Sequence, residues 1–313
     1  MTRIFVFPGQ GSQRPGMGVD LAEAFGAARG VFEEVNDALG EDLFGLMRDG
    51  PEDQLTLTQN AQPALMASSI AVLRVLETES GRPIGDMASM VAGHSLGEYS
   101  ALVAAGALPV DVTARLLRLR GQAMQEAVPV GEGAMAAVLG LEVDAVTAIA
   151  AEASSAGVCA VANDNSPGQV VVSGAVAAVE RAAELAKEQG AKRAMMLPVS
   201  APFHCPMMQP AAERMAAALE TTTLATPSVP VITNVTAAPE SVPETLRANL
   251  VDQVTGTVRW RESMAGLQGH NVGTVVELGT GKVLSGLVRR IDRELEAISV
   301  ESPADVEAFL KTL

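Results

Sequence analysis

"SMVAGHSLGEYSALVAAGAL", Ser89 to Leu108, is where the sequence declares its fold. It opens on a short apolar run, Ser89 to Ala92, that reads as a buried strand, and from Leu96 it continues as a helix ending near Gly106. Between the two stands G-x-S-x-G, Gly93-His94-Ser95-Leu96-Gly97. Average glycine and serine usage produces that pattern by accident about one time in ten in a chain this long, so the context has to carry it. A serine between a buried strand and a helix sits on a sharp turn that exposes its hydroxyl, and the flanking glycines leave room for the turn. The helix N-terminus aims unpaired N–H groups at any oxyanion formed there. The bland alternative is an N-cap serine on an ordinary βα turn; the strand–turn–helix context favours Ser95 as a nucleophile.

Outward from this turn, strand and helix alternate. Arg3 to Phe7 reads as a strand leading into the glycine loop "PGQGSQRPGMG", Pro8 to Gly18; helical patterns follow over Asp20 to Leu39 and Gln62 to Glu79. This alternation predicts a parallel sheet in an α/β fold. From Gly131 the rhythm changes to strand-like "AMAAVLGL", helical "VDAVTAIAAEAS", strand-like "VCAVAN" and "QVVVSG", helical "VAAVERAAELAKEQG" and strand-like "RAMMLPV". The order βαββαβ is that of a ferredoxin-like unit. Residues 131–199 are therefore expected to form a small ferredoxin-like domain inserted in a large α/β domain made of 1–130 plus 200–313.

A chain of 313 residues buries a sizeable core, and with 48% hydrophobic but only 3% aromatic residues that core is built of Ala, Val, Leu and Met. The net charge of -15 argues against nucleic acid and against anionic membranes. No apolar stretch reaches the roughly 20 residues a bilayer demands. Two cysteines and the absence of a secretory h-region before the first strand point to a reducing cytoplasm.

The glycine loop fails as a dinucleotide fingerprint, because Arg14 stands where the third glycine belongs, and "GTGK", Gly279 to Lys282, lacks P-loop spacing. Both read as tight turns, but Gln10 and Gln13 carry amides just past a strand end, where they can face a cleft. A serine needs a base, and there are three histidines. His94 adjoins Ser95 and its side chain is expected to face away, packed or hydrogen-bonded; His270 lies in a surface loop. His204 lies in "VSAPFHCPM", a segment made rigid by Pro202 and Pro206 just past a strand, and is the candidate base. Cys205, its neighbour in an extended segment, points elsewhere. In "DVTARLLRLRGQAMQEAV" a spacing of about 100° per residue gathers Leu116, Leu117, Leu119, Ala123, Met124 and Ala127 on one arc, with Arg118 opposite and Arg120 inside the arc. A buried unpaired charge costs several kcal/mol, so Arg120 either snorkels its charged end to water, pairs with a protein carboxylate, or awaits a substrate carboxylate, which its planar fork grips through two bonds.

Ser95, His204, a pocket arginine and loop glutamines together resemble the malonyl-CoA:acyl-carrier-protein transacylases. The likeness runs through "FPGQGSQ" at Phe7, "TQNAQPAL" at Thr58, "AGHSLGEYSAL" at Ala92, "RGQAMQ" at Arg120, "NSPGQVVVSG" at Asn165, "FHCPMM" at Phe203 and "TNVTA" at Thr233. The resemblance implies a patatin-like, α/β-hydrolase-like large domain and ping-pong transfer of malonyl from malonyl-CoA, a coenzyme A thioester, through an ester on Ser95 to the phosphopantetheine thiol of an acyl carrier protein. It implies His204 as the base, the backbone N–H groups of Gln10 and Leu96 as the oxyanion hole, and Arg120 on the malonyl carboxylate. It further implies the backbone carbonyl of Gln253 as the group that orients the histidine, no metal, no cofactor and a monomer. Two features depart from it or vary within it: Gly279-Thr280-Gly281 replaces a common Gly-Pro-Gly, a change confined to a turn, and Phe203 occupies a position tied to malonyl against methylmalonyl selection. A patatin-like serine hydrolase is the rival reading, and a non-catalytic subunit that only docks carrier proteins is a third. Arg120 argues against the first, and the joint presence of Ser95, His204 and Arg120 against the second.

Overall fold

The structure is a computed structural model and describes residues 2–313. Ten strands form two sheets: β1 (Thr2–Phe7), β2 (Met90–Gly93), β3 (Gly133–Leu139), β4 (Cys159–Ser166), β5 (Gln169–Ala175), β6 (Arg193–Met196), β7 (Val231–Ile232), β8 (Pro239–Glu240), β9 (Val272–Leu278) and β10 (Glu296–Val300). The larger sheet has the order β10-β9-β1-β2-β7-β8, parallel throughout except for the β7–β8 pair. From β1 the chain crosses to β2 on one side and returns much later as β9 on the other. The ends of β1 and β2 therefore flank the point where the winding reverses, the place in an open α/β sheet where a crevice forms.

The alternation along β1 shows why an unbroken apolar run was needed. Phe5 and Phe7 enter the core on one face, with the Thr58–Ser80 helix, while Ile4 and Val6 face the other, with Trp260 and Met264. Both faces of the strand are covered, as expected in a parallel sheet.

The smaller sheet, order β4-β5-β3-β6, is antiparallel at every pairing, and its strands are joined through the Val143–Ala153 and Val176–Glu188 helices in the order βαββαβ. Those helices pack on one face of it, giving Ala136, Val138, Val146, Ile149, Val172 and Val179 a core of their own. Met135, Ala162 and Val171 join the large core instead. Between the two sheets, Val258 exchanges backbone bonds with Ala162 and Asp164, and the Asp164 carboxylate accepts from Arg261 at 2.9 Å.

Several boundaries differ from expectation. The Asp20–Leu39 pattern is two helices, Val19–Ala24 and Gly26–Leu39, because Phe25 is extended between them (φ -130°, ψ 121°). The helix expected from Gln62 begins at Thr58, with Pro63 inside it. The strand-like 193–199 pairs only as far as Met196; Leu197 to Val199 continue as a loop that lines a cavity. The Gly279 and Gly281 turn has positive φ at both glycines, as a tight turn requires.

Candidate active site

Ser95 follows β2 and precedes the Gly97–Ala104 helix with φ 53°, a left-handed conformation that is strained for a residue with a Cβ. The two motif glycines are sterically required. A Cβ on Gly93 would lie 1.9 Å from the Gly97 carbonyl, and one on Gly97 would lie 2.2 Å from the Phe7 oxygen. Side chains pin the strained residue from both ends. Asn234 Oδ1 accepts the Ser95 N–H at 2.7 Å, and Gln253 Nε2 donates to the Ser95 carbonyl at 3.0 Å. Asn234 also donates through Nδ2 to the Gly93 carbonyl at 2.7 Å.

His204 meets this turn from the loop after β6. Its Nε2 lies 2.7 Å from Ser95 Oγ, and its Nδ1 lies 2.8 Å from the main-chain oxygen of Gln253. A carbonyl only accepts, so Nδ1 carries the proton and the Nε2 lone pair faces the serine hydroxyl. Gln253 sits in the last turn of the Pro243–Thr255 helix, where carbonyls lack an intrahelical partner and the dipole is negative, so the oxygen facing Nδ1 also favours a protonated imidazole. Burial, and then the nearby Arg120 charge, push the resting imidazole down to about 3. His204, too, has positive φ, 58°. Two of the four non-glycine residues with positive φ among the described residues thus form this pair, which fits strain held at a working site.

Arg120 is fully buried in the Val110–Glu126 helix, as the apolar arc required, and has no carboxylate partner among the described residues. One terminal nitrogen donates to Gln62 Oε1 at 2.8 Å; the other donates to Gln253 Oε1 at 2.8 Å and to Ser95 Oγ at 3.2 Å. Nε has no partner among the described residues. The guanidinium also lies 5.7 Å from the centre of the Tyr99 ring. Gly121 makes this placement possible: its helix approaches the Thr58–Ser80 helix so closely that a Cβ would come within 2.4 Å of Gln59 Cα. Because arginine only donates, the amides on either side are oriented by it. On one side Gln62 Nε2 donates to Thr58 Oγ1 at 2.9 Å, which donates to Gln10 Oε1 at 2.8 Å; on the other Gln253 Nε2 donates to Glu98 Oε2 at 2.8 Å. Arg118, expected opposite the core, is half-buried and pairs with Glu41 and Asn60.

These groups line one cavity of about 400 Å³ between the carboxyl ends of β1 and β2 and the smaller sheet. Gln10, Ser95, Leu96, Arg120, Phe203 and His204 face it from one side, and Met135, Asn163, Leu197 and Val199 from the other. The backbone N–H groups of Gln10 and Leu96 form no hydrogen bond among the described residues. Their side chains differ in use: Gln10 is tied to Thr58, and Leu96 is buried.

All the candidate residues come together. His94 packs near Trp260 and bonds Asn165 Oδ1 at 2.8 Å through Nε2, while His270 is exposed. Cys205 Sγ donates to the Pro202 carbonyl at 3.1 Å, away from His204. The sequence reading missed Asn234, Gln62, Glu98 and the side chain of Gln253. "TNVTA" and "TQNAQPAL" held the first two, but nothing in a polar residue's spacing tells that it will bond to a backbone turn.

A strained serine on a strand–helix turn, a neutral histidine at its oxygen and a buried arginine beside it define an acyl-transfer site. The acyl transferase domain model matches residues 4–302, and the chain belongs to this family, among the malonyl CoA-acyl carrier protein transacylases. It is 46% identical to the Bacillus subtilis malonyl CoA-acyl carrier protein transacylase, covering 100% of this chain and 98% of that one. The crystal structure of acyl-carrier-protein-S-malonyltransferase from Bartonella henselae is 54% identical, with a TM-score of 0.98 over 100% of this chain and 99% of that one. A malonyl-transacylase solved in complex with its type II PKS acyl-carrier protein is 43% identical, with a TM-score of 0.96 over 100% of both chains.

Proposed function

We propose that this protein transfers the malonyl group of malonyl-CoA to the phosphopantetheine thiol of an acyl carrier protein through a malonyl ester on Ser95. The observation that carries this is the position of Arg120, whose terminal nitrogen is 3.2 Å from Ser95 Oγ. An acyl group whose carboxylate lies on that fork and whose thioester carbon lies on Oγ must be short, and malonyl has one carbon between the two.

In the forward half-reaction Ser95 Oγ bonds to the thioester carbon while His204 Nε2 takes its proton. The Gln10 and Leu96 N–H groups receive the oxyanion. The C–S bond then breaks, and coenzyme A leaves with the proton from Nε2. The carrier thiol next gives its proton to Nε2 and bonds to the ester carbon; the C–Oγ bond then breaks, and Ser95 Oγ takes the proton back from Nε2. The low basicity of the buried imidazole is offset as charge develops, since the Gln253 carbonyl stabilises the imidazolium.

The same reading takes the protein as a cytoplasmic monomer without metal or cofactor. Its large unit, 1–130 plus 200–313, is patatin-like, and the ferredoxin-like unit 131–199 closes the cavity. Hydrolysis is the rival outcome, and the partition of the acyl group tests it. With malonyl-CoA and a holo carrier protein, the malonyl group appears on the carrier; release as free malonate at the same rate with and without carrier would make the protein a hydrolase.

A further inference from the structure

Gln253 serves the site through two different ends. Its main-chain oxygen orients His204, but its side chain reaches the opposite flank of the nucleophile, where Oε1 accepts from Arg120 at 2.8 Å and Nε2 donates to Glu98 Oε2 at 2.8 Å and to the Ser95 carbonyl at 3.0 Å. The side chain is wholly buried, and so are Arg120 and Glu98. We propose that the Gln253 side chain is a positioning residue for acyl selection: a fixed amide strung between a buried guanidinium and a buried carboxyl group, holding the arginine fork where a carboxylate next to Ser95 can meet it.

The polarity of the amide follows from its neighbours. Arg120 only donates, while Glu98 Oε2 and the Ser95 carbonyl accept, and Glu98 Oε2 already takes the Asn234 N–H at 2.9 Å. One orientation of the amide satisfies every partner and the flipped one satisfies none. An arginine carries several rotatable bonds, and ordering them costs free energy unless fixed acceptors do so in advance. Gln62 holds one end of the fork and Gln253 the other, which leaves the guanidinium aimed at the cavity before any acyl group arrives. The inference rests on the proposed role of Arg120 in binding the malonyl carboxylate.

The test compares Ser95 acylation by malonyl-CoA and by acetyl-CoA, measured by rapid quench and intact mass, in the wild type, Arg120→Ala, Gln253→Met and Gln253→Glu. Both Gln253 variants keep the main-chain carbonyl. Methionine removes the acceptor from Arg120, and glutamate puts a charge on the fork that competes with the substrate's own carboxylate. Each is expected to lower the malonyl-to-acetyl ratio of kcat/KM at least tenfold, mostly through a raised KM for malonyl-CoA. A purely structural glutamine would lower both acyl groups alike. If the ratio falls in Arg120→Ala but in neither Gln253 variant, the positioning role is overturned while the function of Arg120 stands; an unchanged ratio in Arg120→Ala overturns both. Should Gln253→Met lack a cooperative thermal transition, Gln253→Glu, of nearly the native shape, decides the matter.

Discussion

At the residue level, burial sets the state of the pair proposed to do the chemistry, Ser95 and His204. His204 is held down to about 3, with burial the larger cause and Arg120 the next. The imidazole is thus neutral at neutral pH, and the acid limb of malonyl loading should lie well below the ordinary imidazole value of about 6.5. Replacing Arg120 by Ala removes one lowering influence, so the limb should move to higher pH; a pH profile of Ser95 acetylation in both proteins checks this, and an unmoved limb would mean the arginine charge does not reach the base. Linkage gives the matching stability effect. A histidine with a depressed folded value binds fewer protons than the unfolded chain below pH about 6.5, so its contribution to stability is present above that value and is lost as pH falls toward 3.

Arg120→Ala should also cost malonyl transfer far more than acetyl transfer. A hydrogen bond to a charged group is worth about 1.5–3 kcal/mol, so the ratio of rates should change by at least tenfold; equal losses would make the arginine structural. Ser95, His204 and Arg120 were legible in the sequence because each breaks a local rule: a serine between two glycines on a sharp turn, a histidine between prolines, a charge on an apolar arc. Asn234, Gln62 and Glu98 break none. An amide on a helix reads as surface, and only the folded turn shows that its hydrogen-bonding groups are aimed inward.

At the scale of the element, the site depends on how closely two helices approach. The Val110–Glu126 helix meets the Thr58–Ser80 helix at Gly121, where a Cβ would come within 2.4 Å of backbone. Gly121→Ala should force the helices apart, cost about 1–3 kcal/mol as overpacking does, and loosen Arg120 from Gln62. Malonyl loading should suffer with it. Gly30, on the exposed side of the Gly26–Leu39 helix, has open space at the same position, and Gly30→Ala should raise stability by about 0.4–1 kcal/mol. Denaturant unfolding of the two variants checks both signs. The existence and type of these helices were readable from periodicity, but their ends were not. Phe25 breaks a run that carries helical spacing on both sides, and the Thr58 helix starts one turn before Gln62, with Pro63 inside it.

At the scale of the whole molecule, element order disclosed a parallel sheet and a βαββαβ segment, but not that the segment's last strand runs on as the wall of the cavity. That wall begins at exposed Lys192 and Arg193 and passes exposed Met195 and Met196 before reaching Leu197. The net charge of -15 repels an acidic carrier at long range unless cations are locally grouped. Arg289 is tied to the Ala297 carbonyl and Arg290 to Gln169, so Lys192 and Arg193 are the better guides. Reversing both to Glu should raise the KM for an acidic carrier at low salt, with added salt shrinking the difference. An unchanged carrier KM would place docking elsewhere.

Ser95 is proposed to carry the malonyl group between two thiols, and an intact-mass measurement with peptide mapping tests this. After brief exposure to malonyl-CoA the wild type should gain one malonyl group, located on the peptide containing Ser95, and lose it when holo carrier protein is added. Ser95→Ala should gain none. A stable malonyl adduct on the Ser95→Ala protein, or a wild-type adduct that carrier thiol does not remove, would contradict the account.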